Sequence, residues 1–154
     1  MTPADLPVDT PADTPSERGT SDDERALVYD WQCPACNLYC QLLRVREAGG
    51  QFRLVNARDK PEVMKEITAR GIDIDQGMVL KMNHQFYYGA DAIHMLALIA
   101  SPSTVFNRFN IRIFRSRRRA ELLYPVLRAC RNFLLKLLRR TKINNLGLPD
   151  NERF

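Results

Sequence analysis

Three of the four cysteines in this 154-residue chain, Cys33, Cys36 and Cys40, fall within eight positions. Cys33-Pro34-Ala35-Cys36 has the spacing of a dithiol. With two residues between them, one thiol can attack a mixed disulfide formed by the other. If a helix starts at or just after Cys33, both side chains lie on one side of its first turn, within bridging distance. The unpaired N–H groups and positive dipole end of that turn favour thiolate over thiol. They can bring a cysteine pKa from ~8.5 to ~3.5–7.5. Cys33, at the outer end, is expected to be the attacking sulfur and open to partners. Cys36, one turn in, is expected to be the resolving sulfur.

Asp30 and Cys40 each have two readings. Asp30 ends a short apolar run, and its carboxylate either takes the proton of Cys36 during resolution or accepts backbone N–H bonds in the turn before the helix. The two roles can coexist. Cys40 shares the helical side of Cys33 and Cys36. It is read first as a small buried apolar residue, and otherwise as a third redox thiol or a metal ligand with Cys33, Cys36 and one of His84, His94 or Cys130. A structural zinc site usually draws four ligands from two paired knuckles, and the chain has no second C-x-x-C. His84 is expected in an exposed turn and His94 on a partly buried helix face. Phosphate-loop, H-E-x-x-H and G-x-S-x-G motifs are absent.

Around these residues the pattern predicts strand 26–30, helix 34–47 opened by Pro34 and stopped by Gly49-Gly50, and strand 51–57. Helix 60–70 follows, then strands 78–82 and 85–88 around an Asn83-His84 turn. Helix 92–100 closes the core at 26–102, and Gly89-Ala90-Asp91 leads into it, with Asp91 read as a cap or dipole partner. The order β-α-β-α-β-β-α implies a small mixed sheet with a parallel first connection and helices packed on it. Helices at 103–114 and 120–140 form a basic extension, 103–143, expected to pack on the core. Residues 144–154 read as a loose tail.

Charge is divided sharply along the chain. Residues 1–25 carry seven acids and two bases with almost no large apolar side chain. They are expected to be a disordered acidic leader, and they do not resemble a secretory signal. Residues 26–107 balance eight bases with eight acids, whereas 108–142 hold twelve bases and one acid. The last helix has a leucine-rich stripe, Leu123, Val126, Leu127, Cys130, Leu134 and Leu137. The first reading is that this stripe packs on the domain while the arginines stay solvated. Weak association with a membrane surface comes next, and no specific nucleic acid is expected. No run of ~18 apolar residues exists to span a bilayer. The expected compartment is the cytoplasm, where clustered cysteines are more often catalytic or metal-bound than structural.

Asp30-x-x-Cys33-x-x-Cys36 after an apolar strand resembles the signature of the DCC family of thiol-disulfide oxidoreductases, which have a thioredoxin-like fold. "GADAIHML" (89–96) and "LYPVLRACRNFLLKLLRR" (123–140) resemble further segments of that family, so the likeness covers about 26–143. Members often have Gly after the motif Asp, where this chain has Trp31, a residue that can shield the site or dock a partner. Thioredoxins place a proline opposite their cysteines, where "IDIDQGMVL" offers Gly77. The resemblance implies an α/β thioredoxin-like domain that exchanges disulfides with a protein substrate through Cys33 and Cys36. Asp30 assists, and Trp31, Pro34, Gly77, Gly89 and Asp91 border the substrate. No metal or organic cofactor is required. A thiol reductant, glutathione or a thioredoxin-type donor, would re-reduce the pair. The alternative is a non-catalytic metal-binding domain (Cys33/Cys36/Cys40) or an adaptor docking through its basic helix.

Overall fold

The computed structural model describes residues 25–43 and 52–154. The acidic leader expected at 1–25 lies outside these residues except for Arg25, as do the last residues of the first expected helix and Gln51. Strands β1 (Arg25–Tyr29), β2 (Phe52–Asn56), β3 (Val79–Met82) and β4 (Gln85–Tyr88) form one sheet in the order β2-β1-β3-β4. β1 and β2 are parallel, with Leu27 opposite Leu54, and β3 is antiparallel to both β1 and β4. Helices α1 (Pro34–Leu42), α2 (Pro61–Ala69) and α3 (Ala90–Ile99) complete a thioredoxin-like α/β fold. α4 (Val105–Phe114) and α5 (Arg117–Leu137) follow, and both lie against α3.

β1 is central, so both its faces are covered and its sequence reads as an unbroken apolar run. Successive side chains point to opposite faces. Leu27 and Tyr29 join Leu80, Met82, Cys36, Cys40, Leu96 and Leu135 in one core layer. Ala26 and Val28 join Val55, Val79, Met64, Ile67 and Ile74 in the other. Full burial of an aliphatic side chain contributes about 1.5–3 kcal/mol, so the two layers hold the end of β1, and hence the start of α1, in a fixed place. The β3–β4 link is the expected two-residue turn, with Asn83 and His84 both at positive φ.

Two expectations are corrected in the C-terminal part. In α5, only Ala120 and Leu135 are buried, with Tyr124 and Arg131 half-buried on the same side. Most of the predicted leucine stripe points outward: Leu123, Val126, Leu127, Cys130 and Leu137 are exposed. α5 has apolar residues on both faces, and the narrower one packs. Residues 144–154, expected to be loose, are fastened. The buried Asp75 carboxylate accepts the N–H groups of Ile143 (2.8 Å) and Asn144 (2.6 Å). Asn145 bonds the Ile74 N–H and the Ile72 carbonyl, and Thr141 pairs with Arg153. Phe154 packs against the first core layer.

Candidate active site

Cys33 caps α1. Its backbone is extended (φ −84°, ψ 106°), Pro34 opens the helix, and the Cys36 N–H donates to Cys33 Sγ at 3.3 Å. Both thiols are free. The strand, the turn and the N-terminal proline therefore place two sulfurs together on the first turn of a helix, as their spacing required. One expectation is not met: Cys33 is 0% exposed and Cys36 7%. The outer sulfur lies inside a packed layer that also holds Tyr29, Cys40 and, at its margin, Phe154.

A residue that sequence reasoning set aside completes the site. Arg131, on the inner face of α5, donates from Nε to Cys36 Sγ at 3.2 Å, and its guanidinium also bonds the Asp75 carbonyl. The Phe154 ring lies 5.5 Å from that guanidinium. The Cys33 pKa is lowered to about 6. The hydrogen bond from Cys36 is the largest cause, and Arg131 and the Cys36 amide add to it against the cost of burial. The Cys36 thiol is raised, first because it donates to Cys33 and then because it is buried. Within the pair the charge is therefore favoured on Cys33 and the proton on Cys36. Cys40 is buried in the same layer, and desolvation pushes it up to about 12.

Asp30 is almost fully buried. Arg58 grips its carboxylate with both Nε (2.9 Å) and Nη2 (3.0 Å), and the Gln32 N–H donates to Oδ1 at 2.9 Å. Arg58 also reaches the Thr141 carbonyl at 2.8 Å. Among the described residues no hydrogen bond joins Asp30 to either sulfur. This is the turn-holding arrangement, and it ties the Cys33 turn to the C-terminal segment.

The other expected site residues divide by place. A cavity of about 370 Å³ opens beside Cys36, lined by Tyr39, Phe106, Asn110, Tyr124, Arg131 and others. Gly77 lines it, whereas Trp31, Pro34, Gly89 and Asp91 do not. Trp31 is exposed and stacks on Tyr29, with ring centroids 6.4 Å apart. Gly77 and Gly89 both cradle Tyr124. A Cβ on Gly77 would lie 2.0 Å from the tyrosine Oη, and one on Gly89 2.9 Å from its ring. Asp91 does not cap α3, whose N-cap is Gly89. It forms an exposed ion pair with Arg117 at 3.3 Å. Among the described residues no group of three or more His, Cys, Asp or Glu side chains is placed to hold a metal ion.

The DCC1-like thiol-disulfide oxidoreductase family model matches residues 27–137. The chain belongs to this family. No curated protein and no solved structure matches it. The family match spans the dithiol helix, the sheet from Leu27 onward and α3 to α5, so Arg131 lies within it and the fastened segment 141–154 lies beyond it. Membership carries a thiol-disulfide oxidoreductase role.

Proposed function

We propose that this chain reduces protein disulfides, with Cys33 and Cys36 cycling between dithiol and disulfide. The observation that carries the reading is the geometry of the pair: Cys33 caps α1 with its Sγ accepting the Cys36 N–H at 3.3 Å, and Arg131 reaches Cys36 Sγ at 3.2 Å, a setting that lowers the Cys33 pKa and raises that of Cys36. The Cys33 thiolate attacks a target disulfide, forms a mixed disulfide and releases one target thiolate. Cys36 then gives its proton to the released target thiolate and attacks Cys33 Sγ. The second target thiolate leaves, and the enzyme holds the disulfide. A thiol reductant of the glutathione or thioredoxin type restores the dithiol.

Ionisation and access favour different sulfurs, because the cavity reaches Cys36 and not Cys33. Ionisation supports Cys33 as the attacking sulfur. The thiolate is the nucleophile, and a raised Cys36 supplies almost none of it. Local openings in folded proteins cost from almost nothing at chain ends up to the full unfolding free energy in the core, and the layer around Cys33 includes Phe154 from the end of the C-terminal segment. Cys33 therefore reacts after its cover parts. Asp30 acts as a positioning residue that holds the turn. Trp31, exposed next to that turn, is the docking side chain for the target. Among the described residues no helix is long and apolar enough to cross a membrane, and a cytoplasmic setting suits a dithiol kept reduced.

The test is insulin reduction driven by dithiothreitol. The wild-type chain should accelerate it, and Cys33→Ser should return the rate to background while leaving the fold intact by circular dichroism. Equal rates for the two proteins would remove the assignment.

A further inference from the structure

The outward surface of α4 and α5 meets the site described above only at the rim of its cavity, where Phe109 and Val126 line the space beside Cys36. On α5, Leu122, Val126, Phe133 and Leu137 are 75%, 59%, 70% and 69% exposed. Intervals of four, seven and four residues place them on one face, away from the packed side of Ala120, Tyr124 and Leu135. On α4, Val105 and Phe109 are also exposed. Phe109 and Val126 line a common cavity, so the two apolar surfaces adjoin. Beside them runs an open groove of about 560 Å³ whose walls include Arg108, Arg112, Arg115 and Arg119. The acid of this basic segment, Glu121, is already paired with Arg117 at 3.0 Å.

A contiguous exposed apolar surface of this kind marks an interaction site, and its charge selects the partner. A second copy of the chain would bring two segments of twelve bases and one acid face to face, and like charges resist that pairing. A nucleic acid would use the arginines but leave Leu122, Phe133 and Leu137 in water. An anionic bilayer satisfies both halves. Apolar side chains enter the acyl boundary while arginines extend to the phosphates. We propose that the α4–α5 face is a docking surface for an anionic lipid bilayer, with both helices lying in the interfacial plane. The four-arginine groove receives headgroup phosphates, and Val105, Phe109 and the α5 stripe anchor in the chains. This proposal is independent of the redox reading.

Co-sedimentation of the full chain with vesicles tests it. Vesicles of phosphatidylcholine and phosphatidylglycerol should bind at least about tenfold more tightly than phosphatidylcholine alone, and added salt should weaken the binding. Leu122→Glu with Phe133→Glu should abolish sedimentation. Arg112→Gln with Arg115→Gln should weaken it about fivefold for each charge removed. All four positions are exposed, so circular dichroism and insulin reduction in solution should stay at wild-type values. Equal binding to both vesicle types, or to neither, overturns the proposal. So does complete competition by inorganic phosphate at constant ionic strength, which would make the groove a soluble-anion site. A concentration-dependent dimer dispersed by Leu122→Glu would reassign the face to a second copy.

Discussion

Cys33 and Cys40 lie about two turns apart on one side of α1, and both are sealed from water, at 0% and 3% exposure. Their acidities move in opposite directions, to about 6 and about 12. Burial is common to both and raises both. Cys40 has desolvation as its main influence, with the nearby Cys33 charge pushing the same way. Cys33 receives the Cys36 thiol, the Cys36 amide and the field of Arg131. In this fold the donors aimed at a buried thiol lower its pKa, and depth alone raises it.

The largest expected effect comes from removing the distant cation that acts on the Cys33–Cys36 pair and leaves Cys40 alone. Arg131→Gln should raise the Cys33 ionisation midpoint from about 6 by about one to three pH units. The thiolate ultraviolet absorbance, titrated in a Cys130→Ser background, reads this directly. Insulin reduction near neutral pH should fall about tenfold or more. Arg131→Lys should recover part of both, since a lysine keeps the charge but not the planar geometry. A midpoint that stays in place in a folded Arg131→Gln protein would show that the local helix turn alone sets the acidity.

That same arginine marks the limit of what could be read from residues in order. The dithiol was legible because its causes are local: an apolar strand, a turn, Pro34 at the first helical position, and two cysteines one turn apart. The β3–β4 hairpin was legible at Asn83-His84 for the same reason. Arg131 stands 95 positions from Cys36, within a run of bases whose ordinary fate is solvation. The signal that could have found it was its alignment with Ala120, Tyr124 and Leu135, a stripe with small and aromatic residues that packs while the richer leucine stripe does not. Periodicity reveals that α5 has apolar faces but not which one the domain takes, because the choice depends on fit against α3 and Tyr124 against Gly77 and Gly89. The fastened C-terminal segment was hidden for a related reason. Its polar composition reads as loop, whereas its attachment comes from a buried carboxylate far back in the chain.

A smaller effect tests the other half of the comparison. Cys40→Ala should cost about 1 kcal/mol of stability through lost packing, measured by urea unfolding, and leave insulin reduction unchanged. Loss of turnover in the folded variant would make Cys40 a third redox thiol and void the contrast with Cys33.

Asp75 extends the comparison to a carboxylate and gives the smallest expected change. It is fully buried and accepts two backbone N–H bonds from the C-terminal segment. Desolvation nevertheless outweighs these donors and, with the negative fields of Asp73 and Asp30, raises its pKa. Two neutral amides do less for this anion than Arg131 and the Cys36 thiol do for Cys33. The sign of the pH dependence follows. The folded carboxyl holds its proton to a higher pH than the unfolded one, which releases it near ~4. Acid therefore favours the folded state, and that contribution is lost as pH rises from about 4 through the raised folded value, then stays level. Asp75→Asn cannot titrate and lacks one acceptor oxygen, so it should be less stable than wild type. The gap should widen on acidification through the same window, read from urea unfolding at neutral and mildly acid pH. A gap that narrows instead would mean the two amides win, and that even neutral backbone donors can overcome burial at this depth.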